Sequence, residues 1–417
     1  MGSNFFDAIG VADMEKVHSA VIGWMLSDKC EAFGQNGLEA RSRLLQNIFK
    51  IDESEQISVF KSIKAIIEWK NIDILVVTNS GEEDEKCWII ENKIKSTQHS
   101  DQLNRYAIII NCKYLMSSRQ YPVYFMDPRK FDVNKFKLNP YTDTKKEFCF
   151  LTLIEEKPIT ADNVQWKSTK YSELSFYLKQ AFEVTGNSNN TDYLFVQEYL
   201  RCISDLNSTI EDFLKDNNHQ NYCNVFEDGW KPKEEKPTTY TGNQKYISDN
   251  GLETIFQKCF LSFIIPQTKF AQFNEYHVSE THGTALVNFP YKTIENAKYG
   301  FQFQNGTFKI QIVEEYNGTK QDIEKKVKAF ISKWEKIFPS KKGRSIDPEF
   351  NNWDLNKSKK DKKAYISICQ HKLRNSKKHP QKPWYDKTIE EIKTTWNNTF
   401  DVYMLMMENV VIPKNTP

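Results

Sequence analysis

The sequence predicts an α/β protein, on three observations. Some segments place apolar residues at three- and four-residue steps. Others are short Val/Ile-rich runs bounded by turn residues. The two patterns alternate along the N-terminal half, the order of a layered α/β domain. A length of 417 residues suggests two or three domains. No apolar run approaches the ~20 residues that span a bilayer. The opening Met1-Gly2-Ser3-Asn4-Phe5-Phe6 lacks a basic region followed by an apolar core, so no secretory signal is expected. There is no GxxxxGK[ST] phosphate loop and no GxGxxG turn, which argues against an NTPase or a dinucleotide enzyme.

Taken in order, Phe5 to Leu26 reads as one amphipathic helix, with Val11, Met14, Val17, Val21, Trp24 and Met25 on a shared face. A second helix is expected from Leu38 to Phe49. Strands follow at Ser58 to Trp69, Ile72 to Thr78 and Cys87 to Glu91. A helix from Ser100 to Asn111 precedes strands at Tyr121 to Met126 and Phe148 to Ile154, and a helix at Ser172 to Phe182. Thr185 to Thr191 is polar and linker-like, and a long helix follows through Phe213. We divide the chain into residues 1–215, a linker at 216–245, and a C-terminal α+β module at 246–417. The module opens with a helix at Leu252 to Phe263. Strands at Ala285 to Phe289, Tyr299 to Gln304 and Thr307 to Val313 come next, with helices at its end. Asn305-Gly306 suits a tight hairpin turn.

The informative stretch runs from Asn71 to Lys93, where two apolar strands flank the polar loop Asn79 to Lys86. Antiparallel partners keep a constant sum of residue numbers. If Asp73 opposes Glu91, the hairpin centre falls inside that loop. Glu91 and Lys93 alternate onto one face, and opposed residues share a face, so Asp73, Glu91 and Lys93 converge. Burying two carboxylates and an ammonium among Ile and Val is costly unless they are paired or bind a metal. A hard divalent cation relieves the carboxylate repulsion, and Mg²⁺ accepts one or two carboxylates together with water and phosphate oxygens. A neighbouring Lys offsets charge in an in-line phosphoryl displacement. That is the chemistry of metal-dependent phosphodiester hydrolysis. The competing reading is a surface hairpin with an ordinary Glu–Lys pair.

Three further motifs accompany the hairpin: Glu15-Lys-Val-His18-Ser19 on the first helix, Ile89-Ile-Glu-Asn-Lys93 on the strand, and Gln102-Leu-Asn-Arg-Tyr106 on the next helix. With Ile72-Asp73-Ile74, they make the chain resemble the PD-(D/E)XK nuclease superfamily over roughly residues 5 to 215. The likeness is to a prokaryotic branch with I-E-N-K-I and Q-L-x-R-Y motifs. The resemblance implies a restriction-endonuclease-like core, a mixed central sheet flanked by helices. It implies Asp73, Glu91, Glu15 and the carbonyl of Asn92 as metal ligands, and Lys93 as the group that positions the attacking water. Gln102 would orient the lysine or touch the substrate. Mg²⁺ is the expected cofactor, with Mn²⁺ able to substitute. The basic residue often found two positions before the Asp is Asn71 here, and Glu68 is open as a further acidic residue. On the residues alone, His18 reads as a helix-packing or Glu-bonded group rather than a direct catalyst.

Net charge is +2, but its distribution is uneven. Between Lys325 and Lys382 there are 18 Lys/Arg against 5 Asp/Glu, leaving the rest of the chain at −11. Lys341, Lys342, Arg344, Lys359, Lys360, Lys372 and Arg374, interleaved with Trp353 and Tyr365, suit a phosphate backbone. Lys95 and Arg105 are further candidates near the hairpin. The eight cysteines form no CxxC pair and read as reduced residues of a cytoplasmic protein. The expectation is a metal-dependent nuclease, an endonuclease acting on nucleic acid with DNA favoured over RNA, with antiviral defence or DNA processing as its setting. A nucleic-acid-binding or assembly protein that kept the fold without catalysis is the alternative. No membrane partner is expected. A homo-oligomer and a protein activator stay open.

Overall fold

The structure is a computed structural model. It describes most of residues 4–411. Outside the described residues lie 1–3, 95–101, 117–135, 216–241, 333–355, 373–388, 412–417 and several stretches of one to four residues. The strand expected at 121–126 and most of the expected linkers fall there. The chain divides into two compact units, Met1–Thr209 and Ile210–Pro417.

The first unit begins with α1 (Phe5–Ala8), α2 (Glu15–Met25) and α3 (Gly37–Ile48), followed by β1 (Ile63–Trp69), β2 (Ile72–Thr78) and β3 (Lys86–Lys93). After α4 (Gln102–Asn111) come β4 (Tyr114–Met116), β5 (Phe136–Leu138), β6 (Lys145–Thr152), β7 (Lys167–Lys170), α5 (Tyr171–Thr185) and α6 (Thr191–Lys215). The single helix expected from Phe5 to Leu26 is two helices. Gly10 adopts φ +71, a left-handed conformation that glycine takes without a Cβ penalty, and it ends α1 there.

The strands form a mixed sheet in the order β1-β2-β3-β6-β7. β1, β2 and β3 are joined as antiparallel hairpins, whereas β3 pairs with β6 in parallel. A parallel partner requires a crossover, and α4 lies in the segment that supplies it. From Cys87 to Lys93 every residue of β3 is buried, as expected of a central strand covered on both faces. α4 packs on one face through Leu103, Tyr106, Ala107 and Ile110, against Leu75, Val77, Ile89 and Phe150. α2 packs on the other. A Cβ built on Gly23 would collide with Ile67 and approach Ile74, so the glycine permits that close approach. This is the mixed α/β core that the sequence predicts.

β1 and β2 turn through Lys70 and Asn71, with φ +52 and +68. Positive φ at both central residues is the requirement of a type I′ hairpin, and Asn tolerates it best among non-glycine residues. The local backbone therefore accounts for Asn71.

The second unit contains α7 (Gly242–Asp249), α8 (Glu253–Ile264), β8 (His277–Thr281), β9 (Thr284–Ile294), β10 (Ala297–Gln304), β11 (Thr307–Glu315), β12 (Asn356–Lys360), β13 (Lys363–Lys372) and α9 (Ile389–Val411). Its strands form one sheet, β12-β13-β11-β10-β9-β8, and every neighbouring pair is antiparallel. Val287, Phe289, Phe301 and Phe303 are buried on one face. Phe270 packs against Phe289, with ring centres 4.8 Å apart and planes tilted by 38°, and Trp396 of α9 meets Phe303 at 4.8 Å. The module ends in helix α9, as expected, and strands β12 and β13, which the sequence reading does not include, precede it. Within the lysine-rich segment, β12 and β13 form a paired hairpin at the edge of the sheet. Edge strands tolerate lysine, which discourages further strand pairing.

Candidate active site

β2 and β3 pair with Ile74 opposite Ile90 and Leu75 opposite Ile89. Continuing that register puts Asp73 across from Glu91, as the spacing predicts. Asp73 therefore shares the α4 face with Glu91 and Lys93. Glu91 is fully buried and Lys93 is 6% exposed. The Lys93 ammonium meets Glu91 Oε1 at 2.7 Å and Glu15 Oε2 at 3.9 Å. Glu15 reaches the site from the first turn of α2, and its Oε1 accepts from the Ile94 N–H at 3.0 Å. From α4, Gln102 Nε2 donates to Glu91 Oε1 at 2.7 Å and to the Tyr106 hydroxyl at 2.8 Å.

Asn92 ties the two faces together. Its backbone N–H donates to Asp73 Oδ2 at 2.8 Å. Its side chain lies on the opposite face, where Nδ2 donates to the Glu15 carbonyl at 3.1 Å and to Ser19 Oγ at 3.0 Å. Asn92 Oδ1 accepts from the Tyr171 hydroxyl at 2.7 Å. Lys93 O accepts from Leu153 N toward β6. Because peptide groups alternate sides along a strand, the Asn92 carbonyl faces the β2 side, where Asp73 lies.

The electrostatics follow from burial. Burial is the main cause that raises the Glu91 carboxyl well above its ordinary value, with repulsion from Asp73 next. Asp73 is also raised, chiefly by burial, although the Asn92 N–H and Lys93 oppose the shift. Burial alone would lower Lys93, but the combined pull of Glu91, Glu15 and Asp73 outweighs it and keeps the ammonium charged. Glu91 Oε2 and Gln102 Oε1 are buried without a hydrogen-bond donor. A buried carboxylate oxygen left without a donor is expensive, and either a proton shared with Asp73 or a cation would satisfy it. The donor set thus fits a hard divalent cation: two carboxylates, a backbone carbonyl, and Glu15 nearby. Among the described residues, no group of three or more His, Cys, Asp or Glu side chains is gathered tightly enough to hold a metal alone. Mg²⁺ commonly uses one or two carboxylates and completes its shell with water and phosphate oxygens, so such a cluster is not required.

The structure brings Glu15, Asp73, Glu91, Asn92, Lys93 and Gln102 together. Arg105 is exposed on α4. Lys359 and Lys360 lie on β12, and Lys372 ends β13, all in the second unit. Lys95, Lys341, Lys342, Arg344 and Arg374 lie outside the described residues. Glu68 pairs with Lys16 on the surface at 2.9 Å. His18 is fully buried. Its Nε2 donates to the Ala12 carbonyl at 2.8 Å and its Nδ1 accepts from the Tyr199 hydroxyl at 3.0 Å. Burial lowers its pKa to about 4, so it is a neutral bolt between α2 and α6. The sequence did not single out Tyr171. Its only local signal is an aromatic at the start of a helix.

The mixed five-stranded sheet and the carboxylate–lysine group at the end of its central hairpin point to one class of protein, the nucleases built on a restriction-endonuclease-like core. Residues 3–201, a little under half of the chain, match the family model of the PD-(D/E)XK nuclease superfamily, so this stretch is similar to that superfamily. Its members are phosphodiester-cleaving nucleases that typically use divalent metal ions. No curated protein and no solved structure matches the chain. Among the described residues, no helix is long and apolar enough to cross a membrane.

Proposed function

We propose that the chain is a Mg²⁺-dependent nuclease, with Mn²⁺ able to substitute, that cuts internal phosphodiester bonds, DNA in preference to RNA. The observation that carries this reading is Glu91 Oε2, a buried carboxylate oxygen with no donor, beside the half-buried Asp73, whose carboxyl burial also raises. Asp73, Glu91 and the Asn92 carbonyl would hold the metal, with Glu15 at its edge. A divalent cation held there supplies positive charge against phosphoryl oxygens and makes water acidic enough to attack near neutral pH. Lys93 keeps its proton and directs N–H donors toward a water or a phosphate oxygen. Gln102 fixes the rotamer of Glu91. Asn92, locked by Ser19, Glu15 and Tyr171, presents its N–H to Asp73. The defence or DNA-processing setting and the role of the basic block in substrate binding belong to the same proposal. They rest on the resemblance and on the charge distribution.

A second reading has an observation of its own. The Lys93–Glu91 ion pair already neutralises part of the site without a metal, as a non-catalytic descendant of the fold would. Incubating the purified chain with plasmid, single-stranded DNA and RNA, with and without Mg²⁺ or Mn²⁺, decides between the two. The nuclease reading expects metal-dependent cleavage, fastest on DNA. No cleavage of any substrate with either metal selects the second reading.

A further inference from the structure

The sheet of the second unit has two chemically different faces, and its register assigns every ladder residue to one of them. The face carrying Val287, Phe289, Phe301, Phe303, Ile310 and Ile312 is apolar. On the opposite face, Asn288 opposes Gln302, Gln302 opposes Lys309, and Lys309 opposes Gln370. The same face includes Lys298 opposite Val313, Thr307 opposite Lys372, and Lys360 opposite Lys363, which in turn opposes Glu315. Lys298, Lys309, Lys360, Lys363 and Lys372 thus share a face on which the ladders place only one carboxylate, Glu315. The amides Asn288, Gln302, Gln304, Gln311, Asn356 and Gln370 lie among them. The apolar face is nearly balanced, with Lys292, Lys357 and Lys359 against Glu280 and Glu314.

The described side chains on this face are mostly polar, with Leu286, opposite Gln304, a buried exception. Asn288 is exposed, and Gln302, Gln304 and Lys309 are half-buried. Gln302 donates to Asn288 Oδ1 at 3.0 Å. The Lys309 ammonium donates to an amide oxygen, Gln304 Oε1, at 3.4 Å, rather than to a carboxylate. A water-facing sheet face ordinarily mixes the two charge signs. One sign combined with amide donors and acceptors is complementary to a phosphodiester backbone with base or sugar edges beside it.

We propose that the polar face of the six-stranded sheet, from Asn288 across Lys309 to Lys363, is a second nucleic-acid-binding surface, distinct from the catalytic hairpin. The proposal takes its class of partner from the nuclease reading. The register also divides the basic block. The register puts Lys360 and Lys372 on this face of the sheet and Lys359 on the other.

The test measures binding of labelled duplex and single-stranded DNA to the full chain in EDTA, over a salt series. Two charge-matched variants are compared: Lys298→Gln with Lys363→Gln on the polar face, and Lys245→Gln with Lys292→Gln outside both that face and the basic block. Each phosphate contact contributes about 0.9 to the salt slope on duplex DNA. The polar-face pair is expected to weaken binding about tenfold and to flatten the slope by about 2, with the other pair unchanged. Single Lys298→Gln and Lys363→Gln variants, each expected to lose part of this, guard against misfolding of the double variant. Equal effects of the two pairs, no salt-dependent binding by the wild type, or equal affinity for polyglutamate would overturn the proposal. EDTA prevents cleavage, so a failed cleavage assay with Mg²⁺ would count against the nuclease reading while leaving this result standing.

Discussion

The Tyr171 hydroxyl donates to the Asn92 side-chain oxygen at 2.7 Å, across 79 residues of sequence. Both side chains are completely buried. The same Asn92 donates its backbone N–H to Asp73 Oδ2, so a tyrosine on α5 steadies a candidate metal ligand on β2 through one residue of β3. Tyr171→Phe keeps the ring and strands the Asn92 acceptor, which costs roughly 1–3 kcal/mol. Loss of an outer support of this kind typically weakens metal affinity or activity by about 10–100-fold. Urea denaturation and a metal titration of activity should show both effects. Tyr177→Phe, half-buried on the same helix, should show neither. An unchanged metal requirement in Tyr171→Phe would remove the supporting role.

Glu91 gives a pH dependence with a definite sign. Burial raises its carboxyl well above the ordinary 4.5. The folded, metal-free chain therefore keeps a proton that the unfolded chain releases. That stabilisation is complete below 4.5 and is lost as pH rises through the folded value. In EDTA, wild-type stability should fall relative to Glu91→Gln as pH is raised from about 4.5, and added Mg²⁺ should recover it in the wild type alone. A pH-independent difference between the two proteins would contradict this assignment.

Gln102 separates function from stability. Its Nε2 orients Glu91, while its own Oε1 is buried without a donor. Gln102→Leu removes the orienting bond and the unsatisfied oxygen together. Stability should stay level or rise, while cleavage falls by about 10–100-fold. A large loss of stability with cleavage intact would show that the residue serves packing.

Much of the candidate site was legible because it is local. The Asp73–Glu91 register follows from a constant sum across one short hairpin, and alternation then places Lys93. Asn71 looked like a departure from the family until the Lys70-Asn71 turn supplied a backbone reason. Contacts between distant elements left no such trace. Nothing near Tyr171 indicates Asn92, and nothing near His18 indicates Tyr199. The break after Ala8 was obscured by an apolar spacing that runs through Gly10. The β12–β13 hairpin was hidden because a lysine-rich edge strand has the composition of a solvated loop.

We propose that Asp73, Glu91 and Lys93 form a metal-dependent phosphodiesterase centre. Plasmid cleavage by the wild type, Glu91→Ala and Lys93→Ala, with Mg²⁺ and with EDTA, tests it most directly, once circular dichroism has verified that all three fold. Nicking and linearisation are expected from the wild type with Mg²⁺ only, and from neither variant. Equal cleavage by all three proteins, or cleavage by the wild type that persists in EDTA, would contradict it.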